Sequence, residues 1–471
     1  MLAQRKGMSN EIILAKREAK WNDDKERRAN VARDKDYYYN NQLTYLKAEI
    51  KANYPNSKNN TTGHDFFPFI DVINLTENVT DQLSVLFEVP ADIKLDKDSD
   101  VLQTNFEQML EDAKMNPVLQ KINKYTNLTK KVGCMPHFDD GIVTLEIITA
   151  DKVFIEQDED LPTKAKAVWV QIGISENTAQ TADKINTYLR WTAESQQKIE
   201  INNDTGLIIE KYEEVDNPYK RIPIVWFTSD IEEDSFWFDS TNILVDKNEI
   251  FNQDLTALRY GSSLQSFPTL VLEGFEGDGD IKMGVQRPLK IPANDMGEAK
   301  GKVYYIHPNT DLSKIYDYID KRVIHFINSL GISASSYRSD NSSYSSGYQL
   351  KLSKLDVIKK NIADRVYYTK PIKDLCQLMM ECYTMNSSKR FPEKMDIIVD
   401  YGEMVFDEDP MQVQQINTIK LANNLTSIPR ILRKENPDLT EEESEKLANK
   451  IKEENNQFQI GTGLEGIVTE D

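Results

Sequence analysis

Histidine and cysteine are scarce, and their spacing excludes the commonest metal and nucleophile sites. The four histidines, His64, His137, His307 and His325, include no H-E-x-x-H pair. The three cysteines, Cys134, Cys376 and Cys382, make no C-x-x-C and cannot all pair with one another, which points to a reduced compartment. Cys134-Met-Pro-His137 supplies half a zinc site with no second half at matching spacing, so structural roles are expected for both residues. No apolar run approaches the ~20 residues that span a bilayer, and the first residues lack an apolar signal-like stretch. No membrane partner is expected, and the sequons starting at Asn60, Asn74 and Asn78 read as chance matches.

Positive charge is also in deficit. Lys and Arg number 57 against 77 Asp and Glu, for a formal net charge of −20. That argues against simple electrostatic capture of nucleic acid, which needs bases to displace counterions. It leaves room for a surface that DNA passes without sticking. A phosphate loop is missing too. Gly297-Glu-Ala-Lys-Gly-Lys302 is one residue short between its glycines, and Val303 stands where a Mg²⁺-binding Ser or Thr belongs. Gly274-Phe-Glu-Gly277-Asp-Gly279 reads as a hairpin turn. The acid runs Asp158-Glu-Asp160 and Asp407-Glu-Asp409 read as solvated loops or caps rather than Ca²⁺ ligands. No catalytic constellation, no cofactor and no metal is expected.

What is present is a chain of 471 residues, 39% hydrophobic and 28% charged, long enough for several domains. The expected class is α+β. Residues 10–54 are helix-like and densely charged. Lys16, Arg17, Lys20, Lys25, Arg27, Arg28 and Arg33 interleave with acids, which predicts a solvated helix laced with ion pairs. Asp36-Tyr-Tyr-Tyr-Asn40 lies inside it. Residues 69–90 read as an apolar helix through Ile73, Val79, Leu83 and Leu86, closed by Pro90. Two more helices are predicted over 98–114 and 117–131.

From Gly133 to Thr228 the period becomes that of strands: 142–148, 167–173, 184–191, 198–201 and 206–212, joined by good turn chemistry and forming a mostly antiparallel sheet. A further strand is expected over 395–400. Between them runs a succession of helix, short β-rich insert, helix, polar loop and long helix. The first helix centres on Asn248–Leu258. The second carries Leu312, Ile315, Ile319, Val323, Phe326 and Leu330 on one stripe, with Asp311 as N-cap and Gly331 as stop. The third is read with Leu355, Ile358, Ile362 and Val366 inward and a kink at Pro371. Tyr304, Tyr305, Tyr316 and Tyr318 are assigned to a core or subunit interface. Helices opening at Asp409-Pro410 and at a Thr440–Glu443 capping box complete the chain.

This order resembles bacteriophage portal proteins, the group similar to portals of siphophages of Gram-positive hosts. Asp216-Asn-Pro-Tyr-Lys-Arg-Ile-Pro-Ile-Val-Trp-Phe227 is similar to a family segment that precedes the stem. Asn252–Tyr260 followed by Ser266–Gly274 is similar to a first stem helix leading into the clip. The loop before Leu350 is similar to the tunnel loop. The family pattern has glycine where this chain has Lys220. A lysine in a left-handed backbone is strained by roughly 1 kcal/mol, so this turn is expected to differ.

The resemblance implies a non-enzymatic ring of twelve identical subunits at one capsid vertex, assembled in the host cytoplasm and carried in the virion. Residues 1–240 would form the N-terminal wing, 241–266 the first stem helix, 267–309 the clip and 310–331 the second stem helix. Residues 332–348 would form the tunnel loop, 349–405 the long kinked helix and a wing strand, and 406–471 the helical crown and tail. Double-stranded DNA would pass the tunnel loop residues Ser335, Ser336, Tyr337, Arg338, Ser339, Asp340, Asn341, Ser342, Ser343 and Tyr344 without sequence specificity. The clip residues Leu270, Val271, Glu273, Glu276, Asp278, Lys282, Arg287 and Lys290 would dock the packaging motor (terminase large subunit) and later the head–tail connector or adaptor. The major capsid protein would meet the wing. A virion structural or adaptor protein without a DNA-conducting tunnel is the alternative, and it does not account for this order of elements.

Overall fold

In the computed structural model, the described residues are 24–53, 70–96, 100–176, 184–202, 206–231, 234–238, 242–266, 269–273, 302–306, 311–332, 355–387, 390–392, 394–402, 410–423, 425–436, 440 and 443–452. Helix and antiparallel sheet are mixed, as an α+β chain requires. The chain divides into two compact units. One comprises Met1–Arg338 with Asp356–Met404, the other Ser339–Leu355 with Val405–Asp471.

The larger unit opens with α1 (24–38) and α2 (Leu43–Asn53), so the expected single helix is broken. The break falls at Asn40, whose φ of 62° is left-handed, a region Asn visits more readily than most residues. Nor is α1 solvated. The Arg27 guanidinium donates to the carbonyls of Ala150 (3.0 Å) and Val153 (2.8 Å), and Arg28 donates to the buried Tyr188 hydroxyl at 2.6 Å. The predicted local pairing is there as well, Asp24 to Arg28 at 2.9 Å. It neutralises a docked helix rather than decorating a free one.

The predicted helix over 69–90 is overturned in the same way. Residues 70–74 form neither helix nor strand, α3 spans only Leu75–Leu83, and Pro90 lies well past its end. Asn74 caps α3, accepting from the Glu77 amide at 3.1 Å. Strand β1 (Asp92–Leu95) follows, then α4 (Asp100–Asp112) and α5 (Met115–Thr129).

The strand region matches its alternation. β2 (Lys131–Asp139), β3 (Ile142–Thr149) and β9 (Val225–Thr228) form a three-stranded sheet in the order β3-β2-β9. β4 (Val153–Gln157), β5 (Ala165–Glu176), β6 (Lys184–Trp191), β7 (Ser195–Asn202) and β8 (Ile208–Asp216) form an antiparallel meander in sequence order. Apolar residues are buried on both of its faces, while its edge strand β8 is exposed. Ala167, Trp169, Tyr188, Ile199 and Ile201 pack on one side, and Val168, Val170 and Trp191 on the other. β12 (Ile397–Asp400) returns to pair antiparallel with β1, Asp92 opposite Asp400. The close approach there requires glycine at 402. A Cβ on Gly402 would stand 2.2 Å from Val89 Cγ1 and 3.3 Å from the Pro90 carbonyl.

The turn after β8, where the family pattern has glycine, carries Lys220. Lys220 takes the left-handed conformation itself, with φ of 52°. Asn217 holds the turn around it. Its side-chain carbonyl accepts from the Tyr219 amide at 3.0 Å, and its amide donates to the Thr192 and Arg221 carbonyls at 2.7 Å each.

The central helices are α6 (Ile243–Ser266), α7 (Leu312–Ser329) and α8 (Leu355–Asn386). Between α6 and α7, β10 (Thr269–Glu273) pairs antiparallel with β11 (Lys302–Ile306). α7 has both predicted ends. Asp311 accepts from the Lys314 amide at 3.3 Å. At the other end Gly331, φ 78°, donates to the Asn328 carbonyl (3.0 Å) while the Ile332 amide reaches Ile327 (3.3 Å), a Schellman closure. α8 runs through Pro371 as one helix.

The main core gathers α4, α5, β1–β3 and the C-terminal part of α8, around Phe106, Leu119, Ile122, Tyr368, Ile372, Leu375 and Met379. A second core joins α3, α6 and α7 through Leu75, Val79, Phe251, Ile319, Val323 and Ile327.

The smaller unit holds α9 (Pro410–Ala422), α10 (Ile428–Glu435) and α11 (443–452). The capping box at α11 is formed. Glu443 accepts from the Thr440 amide at 3.0 Å, and Thr440 Oγ1 accepts from the Glu443 amide at 3.4 Å.

Candidate functional site

The α6–α7–α8 group is where the sequence placed function, and beside its apolar core it buries polar side chains and exposes apolar ones. α6 buries three polar residues one turn apart, Asn248, Asn252 and Thr256. They run along the irregular segment 70–74 and the first residue of α3. Asn252 Oδ1 accepts from the Ile73 amide (2.9 Å) and Asn248 Oδ1 from the Leu75 amide (3.4 Å). Thr256 Oγ1 serves both polar groups of Asp71, accepting from its amide at 3.1 Å and donating to its carbonyl at 3.2 Å. Backbone groups buried in an irregular segment need partners, and this ladder supplies them. The polar period of four on α6, Asn248, Asn252 and Thr256, is the signal the sequence offers for it.

The opposite face of α6 exposes Ile243, Ile250 and Ala257, seven residues apart. α8 repeats the pattern. The stripe expected to face inward is largely outside: Ile362 is 56% and Val366 77% exposed, and Leu355 is exposed as well. The inward face is Asn361, Asp364, Tyr368, Ile372 and Leu375 instead. A helix with two apolar faces lets sequence periodicity pick either one, and the stronger packing of the C-terminal part fixes the rotation. Tyr304, Tyr316 and Tyr318, assigned to core or interface, are exposed in the single chain.

Between α6 and α7 lies a groove of about 280 Å³ lined by Ala257, Leu258, Gly261, Leu312, Ile315 and Tyr318 among others. At its edge Arg322 pairs with Asp254 at 2.9 Å. Two cations secure the entry to α6. Arg27 stacks 4.0 Å from the centre of Trp237, and the buried Lys131 lies 3.5 Å from the centre of Phe236 while donating to the Phe236 carbonyl at 2.9 Å. Such desolvated cation–π contacts are worth about 2 kcal/mol each.

The first turns of α6 also receive α1. Arg33 lies 2.7 Å from Asp246, 3.7 Å from Asp34 and 3.9 Å from Glu249. One guanidinium does not offset three carboxylates in a half-buried setting. Burial pushes the Asp34 carboxyl up to about 7, against the opposing pull of Arg33. Burial raises Glu249 as well.

Of the clip candidates, Leu270, Val271 and Glu273 lie on β10, where Val271 registers with Tyr304 and Glu273 with Lys302. Glu276, Asp278, Lys282, Arg287 and Lys290 lie outside the described residues, as do all ten tunnel-loop candidates from Ser335 to Tyr344. His137 pairs with Glu146 at 2.8 Å across β2 and β3, and Cys134 is buried in the main core, so the two do not converge on a common site. Among the described residues no cluster of three or more metal-ligating side chains occurs, and no described helix is long and apolar enough to cross a membrane.

Long helices with exposed apolar side chains, a two-stranded antiparallel pair between two of them and ion-paired joints characterise this region. The family model for phage portal protein, SPP1 Gp6-like, matches residues 17–457. The chain belongs to that family of phage portal proteins, and is therefore a structural component of the phage virion associated with DNA packaging. No curated protein matches the chain.

Proposed function

We propose that this chain forms a ring of twelve copies at the portal vertex of a phage head and conducts double-stranded DNA during packaging and ejection. α6 and α7 are the stem, the β10–β11 insert belongs to the clip, and the N-terminal helices and sheets are the wing. The smaller unit is the crown. The clip docks the packaging motor, the terminase large subunit, and afterwards the head–tail connector. The wing meets the major capsid protein. Assembly takes place in the host cytoplasm.

The observation that carries this reading is the pair of exposed stripes, Ile243–Ile250–Ala257 on α6 and Leu355–Ile362–Val366 on α8. A helix apolar on more than one face is ordinarily buried on more than one side. Among the described residues nothing covers these faces, and they lie on different helices, so neighbouring copies can cover them by a head-to-tail interface that closes into a ring. The net charge of −20 keeps phosphate from being held by counterion release, which suits a conduit. Energy for movement comes from the separate motor, not from this chain.

The test of the conduit is deletion of residues 335–347 in a phage complementation assay. Rings should still assemble, with DNA packaging or retention impaired. Unchanged packaging would sink the tunnel assignment while leaving the ring intact.

A further inference from the structure

The run Asp36-Tyr-Tyr-Tyr-Asn40 ends α1 and plays no part in the proposed conduit. Its three phenols are treated differently. Tyr37 is fully buried, and Tyr38 donates to Asp81 of α3 at 2.9 Å. Tyr39 follows the last turn of α1, where its amide still reaches the Lys35 carbonyl at 2.9 Å, and the left-handed Asn40 turns the chain away. Its side chain is 46% exposed. The Tyr39 hydroxyl meets two groups of α5. Lys121 Nζ donates to it at 2.6 Å, and the Tyr125 hydroxyl lies 2.7 Å away. Lys121 and Tyr125 are four residues apart, so α5 presents them side by side. The same ammonium lies 5.0 Å from the centre of the Tyr39 ring and 4.8 Å from that of Tyr125.

Other phenols with outward-reaching hydroxyls point at carboxylates. Tyr38 bonds Asp81, Tyr45 bonds Asp36 at 2.7 Å, and Tyr212 bonds Glu200 at 2.9 Å. A carboxylate acceptor holds a phenolic proton in place, whereas an ammonium donor favours its loss. Burial opposes ionisation of Tyr39, but the bonds from Lys121 and Tyr125 and the charges of Lys121 and Lys35 outweigh it and hold the phenol below its ordinary value. Burial and the bond to Tyr39 push Tyr125 up, so Tyr39 is the member of the pair that loses its proton. The remaining charges nearby are paired, Lys124 with Asp81 and Lys35 with Asp151, each at 2.9 Å.

We propose that Tyr39 is a nucleophilic phenol, a site of O-acylation by activated acyl donors, and that Lys121 is the positioning residue that activates it. The Tyr39 oxygen bonds to the acyl carbon, the bond from that carbon to its leaving group breaks, and the phenolic proton departs with the leaving group. Lys121 keeps its charge throughout and stabilises the oxygen as the anion. Access alone does not produce this preference, because Tyr318 is 62% exposed, more than Tyr39. The ester oxygen is a poorer acceptor than the phenol, so acylation also weakens the tie between the end of α1 and α5. The inference is independent of the ring.

The experiment treats the full-length protein with limiting N-acetylimidazole near neutral pH, with N-acetyltyrosinamide in the same tube as the unperturbed phenol. Peptide mass mapping locates acetyl groups, and hydroxylamine separates tyrosyl esters, which it removes, from lysyl amides, which it leaves. Tyr39 should be acetylated several-fold faster than the free amide, and its rate should rise with pH at a lower midpoint. K121M should slow Tyr39 to the rate of the free amide and move that midpoint up, and K121R, which keeps the charge, should react like wild type. Tyr368, buried in the main core, should stay unlabelled in every folded sample. If K121M exposes Tyr368, the wild-type midpoint and K121R decide the matter. Tyr39 reacting no faster than the free amide, a hydroxylamine-stable label on Lys121 ahead of Tyr39, or an unchanged Tyr39 rate in folded K121M would overturn the proposal.

Discussion

The core around α5 and the C-terminal part of α8 and the helix group α6–α7 with the start of α8 differ in what they leave exposed. In the first, Leu119, Ile122, Tyr368, Ile372, Leu375 and Met379 are buried and the chain completes its own core. In the second, α6 buries Asn248, Asn252 and Thr256 while Ile243 is left 62% exposed, and α8 leaves Val366 out. The contrast separates what folding of one chain accomplishes from what assembly must finish. The polar ladder on α6 serves the chain's own backbone, and in the proposed ring the apolar stripes are the faces left for other copies.

Substitutions should divide along that line. The largest effect is expected on assembly. I362E with V366E alters side chains already in water, so the stability of the single chain should move by no more than about 0.5 kcal/mol, while the ring should fall apart in light scattering. Leu375→Ala, in the other region, should cost about 2–5 kcal/mol in denaturant unfolding through the cavity it leaves. If the glutamates left the ring whole, the comparison would lose its basis.

Gly402→Ala comes next. The added methyl meets Val89 at a distance no real contact allows, and about 1–3 kcal/mol of destabilisation is expected from the forced shift between β12 and the segment after α3. Thermal unfolding measures it directly.

The joint between α1 and α6 should respond to pH. The folded-state pKa of Asp34 is raised from 3.8 to about 7, so the folded chain binds this proton more tightly than the unfolded chain. The resulting stability is fully present below the unfolded value and is lost as pH rises through about 7. Glu249 shifts in the same direction, and Arg33 and Asp246 face both. Asp34→Asn should flatten this slope and make the chain more stable than wild type at pH 8, read as the urea midpoint at pH 5 and pH 8. A slope unchanged by the substitution would assign the proton elsewhere.

The smallest effect is at Lys220. Its left-handed backbone costs roughly 1 kcal/mol relative to glycine, less the extra freedom glycine gives the unfolded chain. Lys220→Gly should therefore be neutral to mildly stabilising, and a clear loss would show that the lysine side chain has a role of its own.

Local signals were legible in the sequence wherever the partner is close along the chain. The Asp311 cap, the Gly331 stop, the Thr440–Glu443 box and the alternation of the meander all depend on neighbours within a few residues or on one period. Long-range partners defeated the same reading. Residues 70–74 look helical until Asn252, far along the chain, takes the Ile73 amide. α1 looks solvated until Val153 and Tyr188 receive its arginines. α8 offered two apolar faces, and periodicity does not say which one its own chain covers. Of the site, the strand bearing Leu270, Val271 and Glu273 was legible from its β-rich run. The ladder and the cation clamps on Trp237 and Phe236 were not, because each links segments more than a hundred residues apart.

The most direct test of the central claim is the mass of the purified full-length protein in solution, with negative-stain images of the same peak. Rings with a central hole, at about 650 kDa for twelve chains of 54.2 kDa, are predicted. A compact monomer or dimer with no hole would contradict the account, because the exposed stripes on α6 and α8 would then have no copies to cover them.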